Sequence, residues 1–401
     1  MKKKLAAVLL IGLAFAACGR KAVPAGDASD VGMDGDRLKR ASAVVREAVE
    51  RRDVPGAVLL VLRKGKTVLR EAFGDSQWVP ERKPMAVDMI FDLASLTKPI
   101  ATATAVMILA EQGRLSLHDK VIDYIPEFTP FADDKGKPGE DVRLWNLLTH
   151  TSGLPPYTDA AAVEKLYGNP CPVESLIIHI GRIPKTDPPG TKFSYSCLNY
   201  ITLAGIVKKI TRKTIADFAA QEIFKPLGMR HTFYNPPAEF IKQCVPTLVI
   251  DGKPLVGVVH DPLARLQGGI SGNAGLFSTA DDLAVFAEML LNKGEYNGVR
   301  ILSPLTVERM TSIYPKIPSL GRGLGWDLSS PYASVAGDIF GPASFGHSGY
   351  TGTSIWIDPE TQTAVILLTN GVHPDDKSKG PIIALRGRVA NAVAGAIISK
   401  K

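Results

Sequence analysis

The spacing of apolar positions changes several times along the chain, and each change marks an element. DRLKRASAVVREAVERR (36–52) repeats its apolar residues at helical spacing with mixed charge between them, which predicts an amphipathic helix. GAVLLVLRKGKTVLREAFG (56–74) reads as two strands around Lys64-Gly65-Lys66. TKPIATATAVMILAEQG (97–113) predicts an apolar helix closed by Gly113. Helical pieces and Pro-rich loops such as GLPPY (153–157) and IPKTDPPG (183–190) fill the middle. TGTSIWIDPETQTAVILLTN (351–370) is a second hairpin turning at Asp358-Pro359-Glu360, and 381–399 is a closing helix. Hairpins at both ends with helices between them predict an α/β (α+β) fold. One antiparallel sheet forms from the two chain ends, the terminal helices cover one of its faces, and a mainly helical lobe lies beside it. The cleft between lobes is a favoured place for a ligand.

Composition narrows the choices. At 401 residues, 45% hydrophobic and 22% charged, the chain is an ordinary globular protein of one large domain or two packed lobes. Its net charge of +7 includes Lys2, Lys3 and Lys4, and no run of five basic residues occurs, so no nucleic-acid partner is expected. MKKK followed by LAAVLLIGLAFAA is a charged n-region and an apolar h-region, too short to span a bilayer. Residues 1–17 therefore read as an export signal. The small pair Ala16-Ala17 before Cys18 resembles a bacterial lipoprotein signal, which implies a lipid at Cys18, a membrane anchor, and a periplasmic or envelope location. Phe15 stands where such signals more often carry Leu, so cleavage after Ala16 is the other exported outcome. Residues 18–35, without an apolar period, read as a tether, and 36–400 as the folded domain. Its sheet lobe is expected at about 36–94 and 320–400, and its helical lobe at about 95–319. Cys171, Cys197 and Cys244 leave room for one disulfide and one thiol, in a pairing the sequence does not define.

Of 22 serines, only Ser95 has a lysine three residues on, and it stands at the mouth of the apolar helix. Residues three apart share a helix face, so the Ser95 hydroxyl and the Lys98 amine can meet. The alternative is an N-cap serine and a surface lysine. A lysine base must be neutral, which burial among Leu93, Ala94, Leu96 and Ile100 would promote. Tyr195, in FSYSCLNY (193–200), is a candidate general base if nearby cations lower its phenol; a core aromatic is the plain reading. In FGHSGYTGTSIWI (345–357), Gly346, Gly349 and Gly352 leave one strand face bare for a substrate, and the N–H groups of Tyr350 and Ser95 are candidates for an oxyanion hole. A nucleophile elbow at Ser348 fails, because Tyr350 stands where that motif needs Gly.

Taken together, SLTK (95–98), YSC (195–197) and HSG (347–349) resemble, in order and spacing, the penicillin-recognising serine hydrolases. The nearest likeness is the class C β-lactamase-like group with its esterases and D-amino peptidases. LLTHTSGLP (147–155), HDPLARLQGGISGNAGLFST (260–279) and GLGWDL (323–328) are similar to the same group. The resemblance covers roughly 36–400. It implies that Ser95 is acylated, that Lys98 helps remove its proton, and that Tyr195 exchanges protons with serine, leaving group and water. It implies Cys197, His347, Gly349 and Tyr350 on the substrate side, with no metal or cofactor. The sequence departs from the group in two places. Cys197 replaces the usual Asn, and a thiol is a poor partner for a substrate amide; Asn199 is the candidate substitute. His347 stands where many β-lactamases have Lys, and a neutral imidazole attracts a carboxylate weakly. The expected activity is therefore hydrolysis of an ester, amide or D-amino peptide, cell-wall derived or otherwise, with weak β-lactamase activity at most. The competing readings are a non-hydrolysing penicillin-binding or wall-binding sensor and a scaffold that keeps only the fold. His260, Asp261 and His150 read as loop-bracing groups.

Overall fold

The computed structural model describes residues 22–376 and 379–399. The export-signal and Cys18 expectations lie outside these residues. Helix α1 (Gly35–Glu50) leads into strands β1 (Gly56–Arg63), β2 (Lys66–Gln77) and the short β3 (Lys83–Pro84). Helices α2 (Thr104–Glu111), α3 (Cys197–Thr211) and α4 (Ala280–Leu291) are the main rods of the middle segment. Strands β4 (Phe345–Ser348), β5 (Ser354–Asp358) and β6 (Thr363–Thr369) and helix α5 (Lys379–Ala394) close the chain. The sheet runs β4-β5-β6-β1-β2-β3, antiparallel at every pairing. Strand β1, from the first hairpin, pairs with β6 from the last, Ala57 opposite Thr369 through Arg63 opposite Thr363. The two chain ends thus build one sheet, as the flanking hairpins predict.

Alternation along β1 divides the interior into two cores. Ala57, Leu59 and Val61 pack with Val365 and Leu367 under α1 (Leu38, Ala41, Val45) and α5 (Leu385, Val389, Val393). Val58, Leu60 and Leu62 face the opposite way, joining Ile355, Ile366 and Leu368 to Leu283 and Phe286 of α4 and on into the helical segment. The terminal helices cover one sheet face because every second residue of the central strands is apolar on that side. At roughly 25 cal/mol per Å², such buried side chains each contribute about 1.5–3 kcal/mol.

The stretch expected as a tether is packed from residue 22 onward. Val31 and Met33 are buried, and Thr67 exchanges main-chain hydrogen bonds with Pro24 and Gly26. Its few apolar residues fill separate gaps along the sheet edge, so they leave no periodic signal. Cys171, Cys197 and Cys244 are all free thiols.

Arg63, fully buried at the end of β1, joins the extremities. Its guanidinium donates to the carbonyls of Val31 (2.7 Å), Gly32 (2.7 Å), Thr361 (3.0 Å) and Ser399. Burial lowers its pKa, and Asp358 offsets this in part. Removing it strands several buried carbonyls at about 1–3 kcal/mol each. Arg63→Met is expected to lower stability by about 2–4 kcal/mol, seen as a lower urea midpoint at an unchanged m-value. An unchanged midpoint would show that these carbonyls find water instead.

Candidate active site

Ser95 sits in a tight turn (Ala94–Leu96) that opens on Ala94, whose φ of +46° is in the left-handed region. A π-helical turn (Lys98–Ala103) comes next, before α2 begins. The expected regular helix is therefore replaced at its mouth by a wider coil. Pro99 has no N–H to give, and the Thr104 hydroxyl reaches back to the Pro99 carbonyl at 2.9 Å. Wide turns of this kind are frequent at functional sites.

Lys98 is completely buried, so the surface-lysine alternative fails. Its Nζ donates to Ser95 Oγ at 2.9 Å and to the Asn273 carbonyl at 3.0 Å, and lies 3.5 Å from Cys197 Sγ. Tyr195, in the loop before α3, places its ring 5.1 Å from Nζ, and the charge of Lys98 acts on its phenol. Residues 95, 98 and 195 therefore meet. Burial works to lower the Lys98 pKa, but charge on Cys197 and Tyr195 raises it, and the balance is upward. Burial in turn raises both Tyr195 and Cys197, outweighing the pull of Lys98. The expectation of a depressed phenol is corrected: desolvation exceeds the cationic field. Among the described residues no carboxylate hydrogen-bonds to Nζ, and the ammonium draws its support from Cys197 and Tyr195 and, through space, from Asp261. Amine, phenol and thiol share protons as one unit.

His150 stands directly behind Tyr195, its ring 4.4 Å away. Its Nδ1 accepts the Ser196 N–H at 3.1 Å and its carbonyl accepts the Ser194 N–H, so it holds the tyrosine loop from both sides. Asn199 is buried, its amide oxygen accepting from the Ser152 hydroxyl at 2.6 Å and its Nδ2 3.3 Å from His150 Nδ1. It does not take the place opened by Cys197, because one helical turn on from the loop carries it into the interior. The His260 N–H and the Asp261 carboxylate brace loops: the first donates to Asp92, and the second accepts from Ala264 N–H and the Tyr157 hydroxyl.

A cavity of about 380 Å³ opens over the triple, lined by Ser95, Tyr195, Arg322, Tyr332, His347, Gly349, Tyr350 and Arg386 among others. His347, on β4, donates from Nδ1 to the Ser348 carbonyl at 2.8 Å. Burial, then Arg322 and Lys98, hold its pKa well below the usual histidine value, so it is neutral. The missing side chains of these glycines do not open space for a substrate, although Gly349 itself lines the cavity. A Cβ on Gly346 would strike the Trp356 ring, and one on Gly349 would strike Thr353 and the Leu93 carbonyl. They permit close packing of the protein against itself. The sequence reading also missed two cations in the wall. Arg322 is 1% exposed, paired with Asp327 at 3.0 Å, and Arg386 of α5 is 8% exposed. Burial lowers Arg386 to about 10. Neither arginine lies in a motif, and single basic residues in loops and helices carry no signal of their own.

A hydroxyl, a buried amine and a phenol brought together beside an antiparallel sheet flanked by helices define a serine hydrolase of the β-lactamase and penicillin-binding type. The chain belongs to the Beta-lactamase family, whose model matches residues 41–388. It is 34% identical over 345 residues to an N-acetylmuramyl-L-alanine amidase of Bacillus subtilis (strain 168), covering 80% of this chain and 78% of that one. It is 28% identical over 397 residues to a Salmonella agona (strain SL483) protein provisionally named a D-alanyl-D-alanine carboxypeptidase, covering 92% and 91%. Among solved structures, EstCE1, a hydrolase with promiscuous acyltransferase activity, shares the fold at a TM-score of 0.73 and 24% identity, covering 90% of this chain and 99% of that one. The octameric penicillin-binding protein homologue of Pyrococcus abyssi superposes at 0.65 with 25% identity, covering 87% and 76%.

Burial, then Arg322 and Lys98, keep His150 neutral as well. The folded protein thus binds fewer protons than the unfolded chain below about pH 6.5, and stability present above that pH is lost as pH falls. Asp92, pushed up to about 6 by burial, has the opposite sign, adding stability as pH falls through that value. Comparison with His150→Asn isolates the histidine, since Asn keeps an acceptor for the Ser196 N–H. The variant's Tm is expected to fall less than the wild type's between about pH 6.5 and 5. Parallel curves would place the titration elsewhere.

Proposed function

We propose that this serine hydrolase opens an amide or ester of a cell-wall-derived peptide through an acyl-Ser95 intermediate. The observation that carries the reading is the 2.9 Å contact between the buried Lys98 amine and Ser95 Oγ, with the Tyr195 ring 5.1 Å from that amine and lining the same cavity as Ser95. In this scheme the amine–phenol unit takes the Ser95 proton as Oγ bonds to the substrate carbonyl carbon. The N–H groups of Ser95 and Tyr350 hold the oxyanion. Tyr195 then passes a proton to the leaving nitrogen or oxygen as its bond to carbon breaks. Water enters, gives a proton to the same unit, and releases the acid with Ser95 restored.

The relatives' names, an amidase and a carboxypeptidase, favour a peptide-type substrate. The pocket wall favours one bearing an acid group, because Arg322 and Arg386 face a single lining carboxylate, Asp327. This positive charge offsets the neutral His347, which by itself would attract a carboxylate weakly. Residues 1–17 as an export signal and a lipid at Cys18 belong to the same proposal and agree with a wall substrate. No described helix is long and apolar enough to cross a membrane.

Purified protein is to be given p-nitrophenyl butyrate, N-acetylmuramyl peptide, nitrocefin and a fluorescent penicillin. Turnover is expected on the first two, absent in Ser95→Ala and about 10²–10⁴-fold slower in Lys98→Met and Tyr195→Phe. A persistent stoichiometric penicillin label without turnover would replace this reading with the sensor. Cys197→Asn supplies the amide that a thiol cannot, and is expected to raise peptide over ester turnover by roughly fivefold, about 1 kcal/mol. An unchanged ratio would remove residue 197 from substrate contact.

A further inference from the structure

The two candidate oxyanion donors come from segments some 250 residues apart, so something must hold them in register. Tyr350 lies in the turn between β4 and β5. That turn is closed by Gly349 N–H on the Thr353 carbonyl (2.7 Å) and Gly352 N–H on the Gly349 carbonyl (3.1 Å). Both outer carbonyls are also gripped from α5: Arg386 Nη2 donates to Gly349 O at 2.7 Å and to Thr353 O at 2.9 Å. The same turn is bolted to the segment before the nucleophile. The Thr351 hydroxyl donates to the Asp92 carbonyl at 2.7 Å, and the Thr353 hydroxyl to the Leu93 carbonyl at 3.0 Å. Thr351 is 1% exposed and Thr353 0%. The Asp92 carboxylate in turn accepts the Ala94 N–H at 2.9 Å, holding the left-handed residue that precedes Ser95.

Building on the acyl-Ser95 reading, we infer that Arg386 is a positioning residue for the oxyanion hole. It acts through the Gly349–Thr353 turn and its two threonine bolts. Arg386 pairs with no acid among the described residues; a buried cation spent on two main-chain carbonyls is costly unless their placement matters. Main-chain donors stabilise an oxyanion only at a narrow range of distance, and a shift of about 1 Å can cost 10²-fold in rate. Arg386 fixes one donor relative to the sheet, and Thr351 and Thr353 fix it relative to the other. A loosened turn still binds substrate, so the loss falls on kcat.

The test compares p-nitrophenyl butyrate with its thiono analogue, whose sulfur is a poor acceptor for oxyanion-hole N–H groups. Wild type is expected to prefer the oxygen ester strongly. Arg386→Met is expected to lower kcat on that ester by roughly 10- to 100-fold with KM changed less than about threefold, and to shrink the oxygen-to-sulfur preference by about tenfold. Arg386→Lys should recover part of both, since an ammonium can bridge the two carbonyls. Thr353→Val and Thr351→Val cut the other strut without removing a charge. They are expected to shrink the same preference, and they decide the matter if Arg386→Met does not fold. Preference unchanged within about twofold in the folded variants, with turnover still abolished by Ser95→Ala, overturns the positioning role alone. Turnover that survives Ser95→Ala overturns the acyl-Ser95 reading and this inference with it.

Discussion

A primary amine held out of water among neutral acceptors is the constraint on which the site depends. Lys98 has no exposed surface, and its Nζ meets a hydroxyl, a main-chain carbonyl and a thiol rather than a carboxylate. Isolating an ammonium this way costs several kcal/mol, so the proton on the amine depends on the charge its neighbours carry, Cys197 and Tyr195 foremost. The surroundings maintain that condition. The 270–275 loop delivers the Asn273 carbonyl, α3 delivers Cys197, and His150 fixes the tyrosine loop. A carboxylate placed beside Nζ would stabilise the cation and end its use as a base.

Much of the scaffold was legible because burial leaves a period. The unbroken apolar runs of β1 and β6 are what a sheet covered on both faces requires, and the mixed-charge 36–52 stretch announced a helix covering one of them. The triple was legible as residue types in order, and coordinates were needed to bring the three side chains within reach. Ser95 and Lys98 lie three apart, so local geometry nearly guarantees their contact. Tyr195 lies about a hundred residues on and depended on the fold.

The missed features share a cause: each is an individual contact or a local change of coil, which has no period and no motif. Arg386 looks like any basic residue of a terminal helix, and Arg322 like any loop arginine. The packed 22–34 stretch has its apolar residues at irregular steps. The glycines of the 346–352 segment were read as open space, whereas the neighbouring Trp356 ring, Thr353 and the Leu93 carbonyl already fill it. The π-helical turn is invisible to helical spacing, since it shifts the register by a single residue.

The packing of residues 22–34 has a consequence for reach. An eighteen-residue tether could extend about 60 Å, but only residues 18 to 22 separate the proposed lipid site from the first described residue, a leash of at most about 15 Å. A body anchored at Cys18 would ride against the bilayer and sample a thin layer of the wall above it. Under the proposed anchor and wall substrate, the peptides within reach would be set by height above the membrane as much as by pocket chemistry, and lengthening the leash would change them without touching the crevice.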